Sequence, residues 1–230
     1  MRIVKHQISL EVENNDLIQR NHKIIRHSEL LPFNLRCLVI GPSNCGKTNV
    51  IISLIEHPNG LKFKNIYVYS KSLYQPKYVY LKKLLQPIKE IGYYQYDSDE
   101  DILKPSDAKP FSVFIFDDVA CEKQDVIREY FSMGRHNKID SFYLCQSYAK
   151  LPKHLLRDNA NTLVLFKQDE LNMKHIHRDH VGSDMTFEEF RDLCGVCWKE
   201  PFGFLTILKD CNLEQGRYRR GFDHYIYLTD

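Results

Sequence analysis

The stretch Gly41-Pro42-Ser43-Asn44-Cys45-Gly46-Lys47-Thr48 matches G-x-x-x-x-G-K-[ST] at every fixed position, and no other part of the chain constrains the fold as strongly. The apolar run Cys37-Leu38-Val39-Ile40 before it reads as a buried strand. The run 49–56 after it reads as a helix, with Val50, Ile51, Leu54 and Ile55 on one face. Strand, glycine-containing loop and helix in that order make a phosphate cradle. Successive backbone N–H groups turn inward, and the helix N-terminus adds partial positive charge. Gly41, Pro42, Ser43, Asn44, Cys45, Gly46, Lys47, Thr48 and Asn49 are therefore the expected nucleotide-binding residues. Gly46 lets the backbone approach phosphate closely, Lys47 reaches the β- and γ-phosphates, and the Thr48 hydroxyl binds Mg²⁺. The expected ligands are a nucleoside triphosphate and Mg²⁺.

A second stretch completes the chemistry. Phe111-Ser112-Val113-Phe114-Ile115-Phe116-Asp117-Asp118 is a near-continuous apolar run, as a strand buried on both faces of a parallel sheet should be. Its two carboxylates fall where the strand leaves the sheet at its carboxyl end, the edge at which α/β sheets bind ligands. Asp117 is expected to help hold Mg²⁺ and Asp118 to orient or deprotonate the attacking water. A further core strand, 140–145, ends at Gln146, whose amide can contact the γ-phosphate or that water.

The remaining pattern is alternating α/β. Strands are expected at 65–70, 91–96, 162–166 and 203–208, and helices at 77–85, 122–133, 152–157, 170–180 and 186–194. Residues 97–110 are acidic and proline-bounded and read as an exposed loop. Residues 1–34 form an entry segment, with a weakly alternating edge strand at 3–12, and residues 35–230 form one P-loop ATPase domain. Its core is closed by a basic, aromatic tail, Arg217-Tyr218-Arg219-Arg220-Gly221-Phe222.

Composition narrows the class further. No apolar stretch approaches the roughly 18 residues of a membrane span, and no signal-type segment opens the chain, so no membrane or secreted role is expected. Seven scattered cysteines do not make a disulfide framework. The net charge of +2 leaves nucleic-acid binding to local patches, for which Lys150, Lys153 and the Arg217–Arg220 cluster are the candidates. Asn137-Lys138-Ile139-Asp140 spells the guanine-reading N-K-x-D of GTPases, but it precedes a core strand instead of following one. Asp117-Asp118-Val119-Ala120 also lacks the glycine of D-x-x-G. A zinc site is conceivable from His175, His177, His180, Cys194 and Cys197, although His175 and His177 point to different faces of a helix.

The order of Gly41–Thr48, then Phe116-Asp117-Asp118, then Arg135-His136 shortly before a strand ending in Gln146-Ser147-Tyr148 resembles the poxvirus-type DNA-packaging ATPases. These belong to the FtsK/HerA class of ring-shaped DNA pumps. The likeness covers about residues 30–170 and is most specific from Arg135 to Phe166. Asp118 departs from the glutamate that many relatives carry there. The resemblance implies a RecA-like P-loop fold with a central, mostly parallel sheet flanked by helices. It implies a homo-oligomeric ring, pentamer or hexamer, that moves double-stranded DNA without reading its sequence into a capsid, with capsid or portal components as partners. It places the protein inside the host cell, in nucleus or cytoplasm, or on the virion. It also implies an arginine finger from the neighbouring subunit, with Arg135 and Arg157 as candidates and Arg178 as a weaker third. The alternative is a P-loop ATPase that uses ATP as an assembly switch without translocation.

Overall fold

A computed structural model describes residues 26–97, 102–117, 119 and 124–228. The proposed edge strand at 3–12 and Asp118 lie outside these residues. Six parallel strands lie in the order β3 (Gly92–Tyr96), β2 (Asn65–Ser70), β4 (Ser112–Asp117), β5 (Asp140–Cys145), β1 (Arg36–Ile40) and β6 (Thr162–Leu165). The antiparallel strands β7 (Leu205–Leu208), β8 (Tyr218–Arg220) and β9 (His224–Ile226) extend the sheet beyond β6. The expected mostly parallel sheet flanked by helices is therefore present.

The apolar runs lie where two-sided burial requires them. In β1, Leu38 and Ile40 face one helical layer, while Cys37 and Val39 face the other. Phe114 and Phe116 alternate in the same way with Val113 and Ile115. Helix α1 (Lys47–Glu56) packs Val50, Ile51, Leu54 and Ile55 on the second face, next to Tyr78, Leu81 and Leu85 of α2 (Pro76–Leu85). The first face receives Ile127, Tyr130 and Phe131 of α3 (Gln124–Met133). It also receives Met173 and Ile176 of α4 (Glu170–Ile176), and Phe190 and Cys194 of α5 (Phe187–Cys197). Much of the aromatic content forms a ladder on this face, with Tyr67 stacked on Tyr94 at 4.6 Å and on Phe114 at 4.3 Å.

Three local expectations change. The described part of the expected loop, 102–110, is only partly exposed, because Pro105 and Ala108 are buried. Tyr69 accepts from the Leu103 N–H at 3.0 Å, and Tyr130 donates to the Leu103 carbonyl at 2.5 Å. The helical segment at 152–157 is a single π-type turn, Lys153–Arg157, and 170–180 divides into α4 and a second such turn, His177–Val181. The basic tail is ladder rather than an open patch, since β8 lies within it and pairs with β7 and β9. Arg219 is buried and donates to the carbonyls of Gly216, Leu30 and Phe222 at 2.8, 2.8 and 3.0 Å. Its guanidinium lies 4.1 Å from the Tyr225 ring centroid. Arg217 pairs with Asp184 at 2.6 Å. Arg217 and Arg219 are thereby corrected as DNA-contact candidates, because their guanidinium groups are committed inside the fold; Arg220 of the same cluster is exposed.

At the amino edge of the sheet, Asp140 is fully buried and acts as a clamp. It pairs with Arg26 at 2.9 Å and His27 at 3.2 Å, and accepts from the Leu35 N–H at 2.9 Å. His27 Nδ1 accepts from the Lys62 N–H at 3.0 Å, so its Nε2 carries the proton toward Asp140. The aspartate of the N-K-x-D tetrapeptide thus fastens residues 26–35 to the sheet, at the end away from the phosphate loop.

Candidate nucleotide-binding site

The phosphate loop joins β1 to α1 at the carboxyl edge. The Gly41 N–H donates to the Cys145 carbonyl at 3.1 Å, which ties the start of the loop to β5. A Cβ on Gly41 would sit 2.6 Å from both Cys45 Sγ and Phe166 Cβ, so only glycine fits. Asn44 and Gly46 have φ of 63° and 111°, the left-handed backbone that turns consecutive N–H groups to one side. Gly46 is also the N-cap of α1, with no side chain bonded to the first turn, so those N–H groups suit an anion. Lys47 Nζ donates to the carbonyls of Gly41 at 2.7 Å and Pro42 at 2.9 Å, which holds it over the loop. An ammonium has three N–H bonds, so these two leave capacity for a phosphate oxygen.

One cleft of about 470 Å³ gathers the loop and the two other predicted centres. Ser43, Asn44, Gly46, Lys47 and Thr48 form its floor, Asp117 closes β4, and Gln146 follows β5. Strand order produces this convergence: β5 lies between β1 and β4, so Gln146 stands between the loop and the carboxylate. Gln146 is exposed to the cleft. The Thr48 hydroxyl and Asp117 carboxylate are hard oxygen donors in one cleft, the donor type that suits Mg²⁺. Burial raises the Cys45 thiol, with Lys47 opposing it, and burial pushes Cys145 up to about 12. Both are therefore neutral thiols, and Cys145 lines the cleft.

Sequence reasoning missed the wall opposite the loop. Ser72, Gln75 and Lys77 line the cleft at the start of α2. Buried Tyr78 donates its hydroxyl to Asp117 Oδ2. A tyrosine at helical spacing carries no signal that separates it from ordinary core.

The segment after Gln146 is held by a buried polar cluster. Asn172 Oδ1 accepts from the Ala149 N–H at 2.8 Å and the Ser147 hydroxyl at 3.2 Å. Arg157 donates to the carbonyls of Leu151 at 2.9 Å and Ala149 at 2.8 Å, pairs with Asp179 at 3.3 Å, and stacks 4.4 Å from the Tyr148 ring centroid. This corrects Arg157 as a finger for a neighbouring subunit: it is buried and braces its own chain. Arg178 bonds Asp179 at 3.1 Å and contacts His175 Nδ1 at 3.1 Å.

The Tyr148 hydroxyl donates to Asp179 at 3.0 Å and meets His180 Nε2 at 2.7 Å, which makes Nε2 the protonated nitrogen of His180. Burial, together with Lys209, Arg157 and Arg217, lowers the His180 pKa to about 3, against the pull of Asp179. The unfolded chain therefore takes up this proton first. The stability contributed by neutral His180 is complete above about pH 6.5 and is lost as pH falls toward about 3. We expect the unfolding free energy from urea titrations to fall by about 1.4 kcal/mol per pH unit between pH 6.5 and 4.5, lowering the midpoint with it, and His180→Gln to remove that slope. A wild-type midpoint constant over this interval would contradict the assignment.

Arg135 is exposed in a 3₁₀ turn, Gly134–Asn137, at the amino edge. It borders a cleft of about 220 Å³ with Arg36, Lys209, Asp158 and Asp210. Burial lowers the Arg36 pKa, with Asp210 raising it and Arg135 lowering it further. The conceivable zinc ligands are not brought together. His177 Nε2 bonds the Met185 carbonyl at 2.8 Å, Cys194 and Cys197 are core residues, and no cluster of three or more His, Cys, Asp or Glu suited to a metal is found among the described residues. The six described cysteines are free thiols. No helix among the described residues is long and apolar enough to cross a membrane.

Comparison with known proteins places this architecture. The genome packaging NTPase B204 from Sulfolobus turreted icosahedral virus 2, in complex with sulfate, superposes with a TM-score of 0.56 at 14% identity, covering 78% of this chain and 94% of that one. B204, the DNA-packaging ATPase from Sulfolobus Turreted Icosahedral Virus, gives 0.55 at 16% identity, covering 85% and 100%. B204 from virus 2 in complex with ATP-γS gives 0.53 at 11% identity, covering 83% and 98%. At these identities the likeness is one of fold, the P-loop NTPase fold expected from the loop. No curated protein matches the chain. The family model described as Poxvirus A32 protein matches residues 22–184, which span the phosphate loop, Asp117, Gln146 and the brace around Arg157. The chain belongs to the poxvirus A32 protein family.

Proposed function

We propose that this protein is a Mg²⁺-dependent ATPase that moves double-stranded DNA into a viral or virus-like capsid. The observation that carries the reading is the single cleft in which the phosphate loop, Asp117 and Gln146 converge across three neighbouring strands. Membership of the A32 family supports the packaging role, and so does a fold shared with packaging NTPases, one of them in complex with ATP-γS. Residues 35–230 act as the ATPase domain, and the clamp on Asp140 fastens the end of the entry segment to it.

The loop N–H groups and Lys47 bind the triphosphate and neutralise charge as it develops on the β–γ bridge. Thr48 and Asp117 would hold Mg²⁺, which would supply further neutralisation of the phosphate charge. Gln146 orients the attacking water or reads the γ-phosphate, with Asp118 as the acid next to Asp117. The brace from Arg157 and Asn172 keeps the segment after Gln146 in register with the cleft. Lys150 and Lys153 are the proposed contacts to DNA phosphate, a reading supported by their exposure. The subunits form a ring of five or six around the duplex, acting in the infected cell with capsid or portal components.

Duplex DNA is expected to stimulate ATP hydrolysis without regard to sequence. Binding should weaken about 10³–10⁵-fold between 50 and 200 mM salt if 6–10 phosphates are contacted. Hydrolysis rates and fluorescence anisotropy with two unrelated duplexes test this. A strong preference for one short sequence, or hydrolysis indifferent to DNA, would contradict it.

A further inference from the structure

We infer that the Tyr78 hydroxyl is the positioning group for the Asp117 carboxylate, so that α2 belongs to the metal-holding apparatus of the cleft. The inference rests on the assignment of Thr48 and Asp117 as metal-holding residues.

The geometry follows from the chain upward. Pro76 occupies the first position of α2, where its fixed φ suits a helix start, and Gln75 before it is extended. The Tyr78 side chain is thereby set into the layer between α2 and the sheet, among Leu81, Leu85, Val68 and Ile115, with only 1% of the residue exposed. Its hydroxyl reaches across the end of β2 to β4 and donates to Asp117 Oδ2. Thr48 and Asp117 line the same cleft, so the phenol fixes the carboxylate on the side of the cleft facing the loop helix. Asp117 ends its strand and is half-buried, whereas the five residues of β4 before it are buried. A hydrogen bond from a rigid phenol restricts rotation of the carboxylate and sets its plane relative to Thr48. Outer hydrogen bonds of this kind orient metal-holding carboxylates, and their loss typically costs about 10–100-fold in metal affinity.

Tyr80 supplies a matched control. It lies two residues further along α2 and also donates to a carboxylate, Glu56, but at an exposed position not among the cleft-lining residues.

The test titrates Mg²⁺ into the full-length protein saturated with AMPPCP, by calorimetry, for wild type, Tyr78→Phe, Tyr80→Phe and Asp117→Ala. AMPPCP affinity in EDTA and melting temperature are measured on each. Phenylalanine keeps the ring and its packing, so Tyr78→Phe should melt within a few degrees of wild type. It should bind AMPPCP normally in EDTA and require about 10-fold more Mg²⁺ for half-saturation. Tyr80→Phe should leave all three readings unchanged. Wild-type Mg²⁺ half-saturation in Tyr78→Phe, with Asp117→Ala impaired, overturns the positioning role alone. If Asp117→Ala also binds Mg²⁺ normally, the metal assignment beneath it fails instead. Equal losses of Mg²⁺-free and Mg²⁺-bound nucleotide affinity in Tyr78→Phe would show a general loosening of the site and would likewise overturn the inference.

Discussion

Lys47→Ala is expected to abolish ATP hydrolysis while leaving the fold intact. Its ammonium lies over the loop, bonded to the Gly41 and Pro42 carbonyls, and the residue is only half-buried. Truncation therefore removes two hydrogen bonds at a loop and no core packing, so the melting temperature should move by a few degrees at most. The catalytic cost is of a different order. Phosphoryl transfer depends almost entirely on positioning and on stabilising charge at the transferring group. Removing one pre-set donor of this kind in other enzymes costs about 10²–10³ in turnover, and here the donor also carries a full positive charge. Phosphate release by purified Lys47→Ala should fall to background, with circular dichroism unchanged. Undiminished turnover would sink the phosphate-loop assignment.

The second large effect is expected at Arg135. This residue lies at the amino edge, whereas the phosphate loop lies at the carboxyl edge. The six residues of β5 separate the two by about 20 Å. Arg135 cannot reach the phosphates of its own subunit, so any ATP it meets belongs to a neighbour. Fingers of this type are worth about 10³–10⁵ in rate in P-loop enzymes. Arg135→Ala should therefore bind ATP nearly normally and hydrolyse it at least about 10³-fold more slowly. Mixed with Lys47→Ala, itself inactive, it should recover activity at interfaces that pair an intact loop with an intact Arg135. Arg157→Ala should not behave this way: it removes a buried brace, so its loss should appear as lowered stability and should not be complemented in trans. Rings without complementation between Arg135→Ala and Lys47→Ala would exclude Arg135 as the finger.

The loop, β1, β4 and β5 were legible in the sequence because burial on both faces of a parallel sheet leaves uninterrupted apolar runs, and phosphate binding leaves fixed glycines and a lysine. The order of strands was not legible, and it is the order that brings Gln146 between Gly41 and Asp117. Tyr78 was hidden because its ring packs as any core aromatic does and only its hydroxyl reaches Asp117. Arg157 and Arg219 were misread for the opposite reason. Arginine in a loop or tail reads as surface, yet both are buried: Arg157 by the nearby Ala149 and Leu151 carbonyls and by Asp179, and Arg219 by carbonyls that include that of distant Leu30. The strands β8 and β9 are three residues each, too short for periodicity to register.

Translocation itself is the central claim, and displacement of a third strand from duplex DNA tests it most directly. A linear duplex bearing a labelled triplex-forming oligonucleotide is incubated with the full-length protein, Mg²⁺ and ATP at low salt. Movement along the duplex should strip the third strand in an ATP-dependent manner, while AMPPCP or Lys47→Ala leaves it in place. ATP hydrolysed at a normal rate on a bound duplex, with the third strand retained, would contradict translocation and leave the protein as a nucleotide-dependent assembly switch.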